Sequence, residues 1–473
     1  MTLAAILGTP AADLTFGPSV TQANRQDTGY AMTDTTDIQI LPSDDNTNGW
    51  SRVLPPRTPN PALKGEVRAD WIVLGAGWAG MAAARRLAEN RPEDSIILVD
   101  AGQAGENASG RNSGFAIDLP HNVGSSMEEL DGSHRFMALA RAAVDYLETS
   151  VTAHNIACDW SKRGKYHTSH SARGKGEVLE PFARELEALG EPFRWLDARE
   201  LASEIGTPYY HAAVYTPGCI LMNPAALCRG LADNLPANVT LYENTPVTRL
   251  EQSNGITLTT PQGSIYAPRM MLTTNGFAGQ FEFFENHLIP IAAHASLTRP
   301  LTPDERMAMG GQDDWGLTPA NAIAGVTMRF TRDHRILIRQ GFQYKPGFRV
   351  SDGERAAARV QHMACFRERF PMLPDVTFDH TWTGIVCLSR NSAPGFGKIA
   401  PNIWTSVCQN AVGVTKGTIG GLLAADMACE RDNALIGYME SLGEPDVLPH
   451  KALLKLGVPA RIAWDVWSNR HEK

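Results

Sequence analysis

Two continuously apolar runs stand on either side of a helical pattern near the start of the regular part of the chain. The runs are Trp71–Leu74 and Ile96–Val99, and such runs are typical of parallel strands buried on both faces. Between them, apolar side chains recur at helical spacing as far as about Asn90, namely Met81, Ala84, Leu87 and Ala88. The pattern predicts a β-α-β unit of about 30 residues and therefore an α/β fold.

The next part of the chain alternates between helical and extended patterns. Helices are predicted over residues 134–150 and 174–189, with a strand at 165–168 between them. Short apolar strands are predicted around Val247 and at 270–273. The return of short buried strands indicates that the first sheet continues beyond the β-α-β unit.

A change of period marks the third quarter of the chain. Residues 289–341 alternate apolar and polar positions, which predicts antiparallel strands with one polar face. Ser351 and Glu354 have the spacing of a capping box, so a helix is expected to begin there and to run to about Phe370. Residues 402–430 return to a strand, a glycine-rich turn and a helix of small residues.

The first 65 residues differ from the rest of the chain. Residues 1–65 are rich in Thr, Asp, Asn, Pro and Gly and show no sustained periodicity, so they are interpreted as an extended N-terminal arm. The arm contains Trp50, and a tryptophan is seldom left free in water. The segment around Trp50 is therefore expected to dock on the body of the protein.

Composition and charge narrow the functional classes. The 473 residues carry 43 Lys and Arg against 51 Asp and Glu, and the net charge of −8 argues against a general nucleic-acid or anionic-membrane binder. No apolar run reaches the ~18–20 residues of a membrane span. The 7 cysteines are scattered without a CxxC pair, so no metal site is predicted. Together these features favour a cytoplasmic enzyme with reduced thiols.

The β-α-β unit carries a dinucleotide-binding motif. Gly75, Gly77 and Gly80 form a GxGxxG turn between the first strand and the helix, where a tight turn and close approach to a pyrophosphate are needed. Asp100 follows the second strand, where a carboxylate accepts hydrogen bonds from an adenosine ribose. The cofactor is therefore NAD(P) or FAD.

The loop that follows Asp100 distinguishes between NAD(P) and FAD as the cofactor. Residues 105–114 contain a second run of Gly, Ser, Asn and Arg directly after the ribose-binding acid. A nicotinamide dinucleotide does not need these additional donors, whereas the ribityl chain and second phosphate of a flavin do. The sequence therefore predicts FAD.

The segment ASGRNSG at 108–114 resembles the glycine oxidase and D-amino-acid oxidase (DAO) superfamily of FAD-dependent amine oxidoreductases, and most of all its gamma-glutamylputrescine oxidase-like branch. Residues 273–276, 382–397 and 410–418 resemble further segments of this family in consistent order. The motif and the resemblance together imply that the following residues bind FAD: Gly75, Gly77, Trp78, Ala79, Gly80, Asp100, Ala101, Ser109, Gly110, Arg111, Asn112, Ser113, Gly114, Val247, Thr274, Asn275, Gly276, Gly384, Gly413, Thr415, Lys416, Gly417 and Thr418.

The resemblance also implies a division of the α/β fold. A discontinuous Rossmann-like FAD-binding domain takes residues 66–128, 206–290 and 379–432. A substrate domain, with an antiparallel sheet flanked by helices, takes 129–205 and 291–378. Residues 433–473 form a C-terminal helical tail.

The chain departs from its sarcosine-oxidase-type relatives at three positions. Where these relatives bind the substrate carboxylate with a lysine, this chain has Gly413. Where they activate oxygen with a lysine, the nearest equivalent is Arg339, although a solvent-facing residue on an amphipathic strand fits the pattern as well. Cys387 lies close to the cysteine that binds their flavin covalently, but the spacing differs, so non-covalent FAD is predicted.

The sequence also offers candidates for the substrate pocket. His121 directly follows the flavin loop and Trp382 lies in a matched segment, so both join Arg339 as catalytic candidates. A structural role for His121 is the alternative. Arg329 and Arg390 are candidates for binding an anionic group of the substrate.

The resemblance implies oxidation of a C–N bond, in which a hydride passes from a neutral amine to flavin N5 and the imine is then hydrolysed. The expected partners are a small amine or amino acid, such as a secondary or gamma-glutamylated amine, and oxygen or another electron acceptor. A dehydrogenase with a non-oxygen acceptor and an NAD(P)-dependent dehydrogenase remain the alternatives.

Overall fold

A computed structural model describes residues 35–120 and 127–473. Four sheets are formed by the following strands: β1 (Thr35–Asp37), β2 (Gly65–Arg68), β3 (Trp71–Leu74), β4 (Ile96–Val99), β5 (Phe115–Ala116), β6 (Lys165–Ser169), β7 (Arg194–Asp197), β8 (Ala212–Thr216), β9 (Ile220–Leu221), β10 (Val239–Tyr242), β11 (Arg249–Ser253), β12 (Gly255–Thr260), β13 (Gly263–Ala267), β14 (Arg269–Leu272), β15 (Ile289–Thr298), β16 (Trp315–Pro319), β17 (Thr327–Phe330), β18 (Ile336–Tyr344), β19 (Phe378–Leu388), β20 (Gly395–Ala400) and β21 (Ile403–Val407).

The α-helices pack on these sheets. They are α1 (Gly49–Arg52), α2 (Trp78–Asn90), α3 (Ala108–Arg111), α4 (Met127–Ala153), α5 (Ala172–Gly174), α6 (Glu180–Leu189), α7 (Ala198–Ile205), α8 (Pro224–Asp233), α9 (Pro303–Met309), α10 (Asp352–Arg369), α11 (Thr418–Ala428), α12 (Leu435–Glu440) and α13 (Lys451–Ser468). Two π-helical turns, Lys175–Leu179 and Gly413–Gly417, and two 3₁₀ turns, Asn275–Phe281 and Arg470–Glu472, complete the helical segments of the described residues.

The predicted β-α-β unit is present as β3, α2 and β4, and it lies at the centre of a six-stranded sheet. The strand order is β10-β4-β3-β14-β21-β20, with every pair parallel except β20 and β21. All residues of β3 and β4 are buried, as continuous apolar runs require in a sheet covered on both faces. Helix α2 ends at Asn90, where the apolar pattern ends.

Close backbone contacts fix how α2 sits on this sheet. A Cβ atom on Gly80 would lie 1.7 Å from the Gly75 carbonyl oxygen, and one on Gly421 would lie 2.1 Å from that of Ala79. Only glycine fits at such distances. The start of α2 is therefore pressed against the strand turn on one side and against α11 on the other.

The antiparallel strands predicted over 289–341 belong to an eight-stranded sheet with the order β19-β15-β18-β17-β16-β6-β8-β7. All its pairs are antiparallel except β16 and β6. Helix α10 packs on this sheet, and its N-terminus has the predicted capping box: the Ser351 side chain accepts from the Glu354 N–H, and the Glu354 side chain accepts from that of Ser351. The buried aromatic residues Phe330, Phe366 and Phe378 belong to the hydrophobic core between this sheet and α10.

Three local predictions need correction. Val247 lies between β10 and β11 rather than in a strand, because Pro246 has no N–H to donate to a ladder. The helix predicted over 174–189 is divided by the π-helical turn Lys175–Leu179. The helix predicted over 134–150 is longer, since α4 extends from Met127 to Ala153.

The described part of the N-terminal arm is tied to the body. Strand β1 pairs with β11 at the edge of a five-stranded sheet of order β1-β11-β12-β13-β2. As expected, Trp50 docks: it is buried, and its indole N–H donates to the Asn112 carbonyl oxygen at 2.8 Å. Between β1 and α1 the chain lines part of the cavity described next.

Candidate functional site

One cavity of about 1890 Å³ begins at the carboxyl ends of β3 and β4 and extends along β15, β18 and β19. It exceeds the roughly 300–1,000 Å³ of ordinary ligand pockets. Ligands of open α/β sheets bind outside the carboxyl ends of the strands. The cavity therefore has room for a dinucleotide at this edge and for a second molecule along the eight-stranded sheet.

The glycine turn forms the floor of the cavity at the start of α2. Gly75 has φ +105°, which favours glycine, and a Cβ there would lie 2.9 Å from the Thr273 carbonyl oxygen. Gly77 differs, because it lines the cavity and a Cβ there would meet only the Ser109 Oγ, at 2.8 Å. Gly77 thus leaves a cradle in front of the first amides of α2.

Asp100 is held at the cavity wall by two backbone amides. Its Oδ2 accepts from the Ala76 N–H at 2.7 Å, and its Oδ1 accepts from the Gly102 N–H at 2.8 Å. The pKa of the Asp100 carboxyl is raised, because burial raises it by more than the two N–H donors lower it. The carboxylate therefore has a fixed orientation, with its remaining acceptor capacity toward the cavity it lines.

The second loop closes over the glycine turn. The Trp78 N–H donates to the Ser109 Oγ at 3.2 Å, which ties the loop to the start of α2. The Arg111 guanidinium donates to the Thr383 carbonyl oxygen at 3.0 Å and pairs with Asp44 at 2.6 Å and Asp45 at 2.8 Å. Arg111 therefore joins three distant segments around the cavity.

Most of the residues predicted to bind the cofactor come together in this cavity. Those that line it are Gly75, Gly77, Trp78, Ala79, Asp100, Ala101, Ser109, Arg111, Asn112, Ser113, Val247, Thr274, Asn275, Gly276, Gly384, Gly413, Lys416 and Gly417. The others do not line it: Gly80, Gly110, Gly114, Thr415 and Thr418.

The residues behind the wall have packing roles instead. A Cβ on Gly110 would lie 1.9 Å from the Gly105 carbonyl oxygen. The Thr415 hydroxyl donates to the Ile117 carbonyl oxygen at 3.1 Å, and that of Thr418 donates to the Val414 carbonyl oxygen at 2.6 Å. Gly110, Thr415 and Thr418 therefore support the loops that line the cavity.

Several polar atoms of the cavity wall have no partner. Within the described residues, the Trp78 Nε1, Thr274 Oγ1 and Gln409 Oε1 atoms are buried without a hydrogen bond. Lys416 is largely buried, and burial lowers the pKa of its ammonium group to about 8. Unpaired buried polar atoms are costly, so this wall suits a long ligand with both donors and acceptors, as FAD is.

Arg339 lines the cavity on β18, where its side chain is half-buried. It donates to the Ala322 carbonyl oxygen at 3.1 Å and to the Thr327 hydroxyl, and it lies 4.9 Å from the Phe342 ring centroid. Desolvation lowers the pKa of its guanidinium to about 10. No carboxylate of the described residues pairs with Arg339, so its charge is available to an anion in the cavity.

Two predicted pocket residues lie elsewhere. Trp382 is fully buried behind the wall, where its indole N–H donates to the Arg111 carbonyl oxygen at 3.0 Å. Arg329 is also buried and donates to the Gly114 carbonyl oxygen at 3.0 Å, with Asp314 at 3.8 Å. Both side chains satisfy the protein's own backbone, contrary to the sequence prediction. His121 falls outside the described residues.

Cys387 lines the cavity but has little thiolate character. A hydrogen bond with Cys408 and burial raise the pKa of its thiol well above the ordinary value. The thiolate is the nucleophilic form of cysteine. A thiol in this state is a poor nucleophile, and non-covalent FAD stays a prediction.

Several parts of the wall were not predicted from the sequence, among them the following two. Ile40, Pro42, Ser43 and Asp45 of the N-terminal arm line the cavity, and Val458, Arg461 and Ile462 of α13 line it at the other end. Neither segment carries a motif. The only signal was the amphipathic pattern of residues 451–468, which predicts a docked helix but not where it docks.

Comparison with known proteins agrees with this geometry. The family model DAO, described as FAD dependent oxidoreductase, matches residues 70–427. A probable oxidoreductase OrdL of Rhizobium meliloti (strain 1021) is 26% identical over 399 residues, 82% of this chain and 89% of that protein. Gamma-glutamylputrescine oxidoreductase of Escherichia coli (strain K12) is 23% identical over 378 residues, 78% and 85% of the two chains.

The crystal structure of glycine oxidase from Geobacillus kaustophilus shares the fold. Its TM-score is 0.64 at 20% identity, covering 78% of this chain and 96% of the glycine oxidase. The matched family segment begins at Asp70, before the glycine turn, and ends in α11, so it contains the whole cofactor edge of the cavity. The chain therefore belongs to the DAO family of FAD-dependent oxidoreductases, which act on amine or amino-acid C–N bonds.

Proposed function

We propose that this protein oxidises the C–N bond of a secondary or gamma-glutamylated amine that carries a carboxylate. The excess of positive charge around the cavity carries this proposal. The basic side chains that line it are Arg111, Arg135, Arg339, Arg349, Arg390, Lys416 and Arg461, whereas the acidic ones are Asp45, Asp100 and Asp446. Within the described residues, Arg339, Arg349, Arg390 and Lys416 take part in no ion pair.

Such a cavity discriminates between the classes of amine. A free polyamine would bring two or more positive charges toward unpaired cations, which is electrostatically unfavourable. A carboxylate on the substrate reverses the sign of this interaction. The relative in Escherichia coli named for gamma-glutamylputrescine is consistent with a substrate of this class. Arg390 is our candidate for the carboxylate, because it lines the cavity and Arg329 does not.

FAD would be held non-covalently at the strand edge of the cavity. Gly77 and Ser109 would accommodate the pyrophosphate, Asp100 would accept from the ribose, and Val247 would contact the adenine. Lys416 and the first amides of α11 would lie beside the flavin. Bound FAD supplies the acceptor for the two electrons of the substrate C–N bond.

The same positive charges determine what the protein contributes to the reaction. Cations near a bound amine lower the pKa of its ammonium form, so the amine binds uncharged with a free lone pair. A strong protein base is then unnecessary. Burial of the cavity walls excludes water from the reacting carbon, and the fixed carboxylate orients the C–N bond.

Replacing Asp100 by asparagine is expected to weaken FAD binding by about 10–100-fold, because one charge-assisted acceptor is lost. Titration of the apoprotein with FAD, followed by flavin fluorescence, measures this change. Asp70→Asn is the matched control, since the Asp70 carboxylate caps the Ser95 N–H outside the cavity. An unchanged affinity in Asp100→Asn would mean that this acid only terminates its strand and orders the loop.

The substrate class is tested by anaerobic bleaching of the yellow holoenzyme with an amine panel. The panel pairs each carboxylate-bearing secondary or gamma-glutamylated amine with its decarboxylated analogue and includes free polyamines. We expect at least about tenfold faster bleaching, at equal concentration, by the carboxylate-bearing member of a pair. Faster bleaching by polyamines would contradict the proposal.

The Arg390→Met variant tests whether Arg390 binds the carboxylate of the substrate. It should raise the half-saturating concentration of a carboxylate-bearing amine by on the order of tenfold and leave the decarboxylated analogue unaffected. Arg349→Met is the control, because Arg349 is an exposed arginine at the rim of the same cavity. Equal effects on both members of a pair would remove Arg390 from this role.

A further inference from the structure

The outer face of α13 is apolar and exposed. The side chains of this face, here called the outer stripe, are 63% exposed at Leu453, 76% at Leu456, 58% at Trp464 and 56% at Trp467. On an α-helix these positions fall within about 80° of arc. Other large apolar side chains exposed among the described residues are scattered: Met307, Val360, Tyr438 and Val447. Half of the exposed large apolar side chains thus belong to one helix face.

The fold does not require this stripe. The opposite face of α13 packs through Leu454, Val458 and Ile462 against the ends of β15, β18 and β19. Arg461 pairs with the buried Asp465 at 3.2 Å, and Glu472 accepts hydrogen bonds from Ser169 and Ser171. The helix is therefore anchored by its inner face and its end, and the outer stripe faces solvent.

The net charge of the segment that carries the stripe is opposite in sign to that of the whole chain. Residues 451–473 contain Lys451, Lys455, Arg461, Arg470 and Lys473 against Asp465 and Glu472, which gives +3, whereas the chain carries −8. The two acids are buried in the contacts just described, while Lys455, Arg470 and Lys473 are exposed. Lys451 pairs with Glu285 at 3.0 Å. The exposed side of this segment is thus apolar along the stripe. Its exposed cations are Lys455 on another face of the helix, and Arg470 and Lys473 beyond the end of the helix.

We propose that the outer stripe docks this enzyme on the surface of a lipid bilayer that contains anionic lipids. A helix with Trp and Leu on its apolar face and Lys or Arg on its polar face is the form that lies in the plane of a membrane interface. The Trp464 and Trp467 rings, 5.0 Å apart, present the amphipathic aromatic surface that favours the headgroup region. No helix of the described residues is long and apolar enough to cross a bilayer, so docking is on one face only.

A second copy of the chain fits the stripe less well. Pairing two copies across it would enclose the Arg470 guanidinium, which lies 5.0 Å from the Trp467 ring centroid, without a carboxylate on the stripe to pair with it. An anionic lipid surface attracts this charge instead. The inner face of the same helix lines the cavity through Val458, Arg461 and Ile462, so the lipid surface and the cavity lie on opposite sides of one helix.

The test is flotation of the holoenzyme with lipid vesicles. We expect binding to phosphatidylcholine vesicles that contain phosphatidylglycerol, weaker binding to phosphatidylcholine alone, and loss of binding at high salt. Trp464→Ser/Trp467→Ser should lower the partition coefficient by on the order of tenfold or more. Leu453→Ser/Leu456→Ser is a second, independent variant with the same expectation.

The matched control is Met307→Ser/Val360→Ser, which removes two exposed apolar side chains from other helices and should float like the wild type. Flavin content and turnover in solution should be unchanged in all three variants, because the stripe does not line the cavity. Failure of the wild type to bind either vesicle would overturn the proposal. So would an equal loss in the control, or a dimer seen by light scattering that the tryptophan variant dissociates.

Discussion

Replacement of Gly77 by valine is expected to give a folded protein that purifies without flavin. The Gly77 backbone has φ −82° and ψ −170°, an extended conformation that valine adopts readily. The added Cβ would meet only the Ser109 Oγ, and the two methyl groups would project into the cradle at the start of α2. Because the pyrophosphate must approach the backbone there, we expect affinity for FAD to fall by on the order of 100-fold or more.

The measurement is the flavin absorbance of the purified protein together with its thermal unfolding. Two other glycine variants separate loss of FAD from loss of fold. Gly80→Ala would place a Cβ 1.7 Å from the Gly75 carbonyl oxygen, so it should damage the fold itself. Gly437→Ala, which meets nothing within 4 Å, should keep both flavin and stability. A yellow Gly77→Val protein with full occupancy would show that the pyrophosphate does not lie at this turn.

The contrast between Gly77 and Gly80 shows what the sequence could predict. The strand, glycine turn, helix and acid of residues 71–100 are local features, and each was predicted from its period and spacing. The capping box at Ser351 was predicted for the same reason, because its partner Glu354 is three residues away. Local patterns were therefore enough to predict the strand edge at which the cofactor would bind. The match to the DAO family confirmed FAD over NAD(P).

Long-range contacts explain what the sequence could not predict. Trp382 finds its acceptor at Arg111 and Arg329 finds its acceptor at Gly114, more than 200 residues away in each case. Nothing in the neighbourhood of either residue distinguishes a buried structural side chain from one that lines a pocket. The same holds for α13, whose place at the cavity depends on contacts with β15 and β19.

Among the catalytic candidates in the described residues, Arg339 lines the cavity, and its surroundings allow it to be replaced without damage to the fold. It is held by the Ala322 carbonyl oxygen and the Thr327 hydroxyl, and its charge is not compensated by a carboxylate of the described residues. A methionine has a similar length and suits the neighbouring Phe342 ring. Arg339→Met should therefore fold while removing one positive charge from the cavity wall.

We expect Arg339→Met to slow the reaction with oxygen by on the order of 10–100-fold, because superoxide is an anion that a nearby desolvated cation stabilises. Anaerobic bleaching by the amine should change by less than about threefold, since that half-reaction forms no such anion. The two halves are measured separately, first by stopped-flow bleaching without oxygen and then by the return of absorbance on mixing with oxygen.

The charge-conserving variant Arg339→Lys should keep most of the oxygen reactivity if the positive charge, and not the guanidinium geometry, stabilises superoxide. Parallel slowing of both halves in Arg339→Met would assign the residue to substrate binding. An enzyme that reacts slowly with oxygen but rapidly with a quinone, in both wild type and variant, would be a dehydrogenase, and Arg339 would then have no oxygen to activate. The pKa of about 10 keeps the guanidinium charged throughout the neutral range, so these rates should not depend on its titration between about pH 6 and 8.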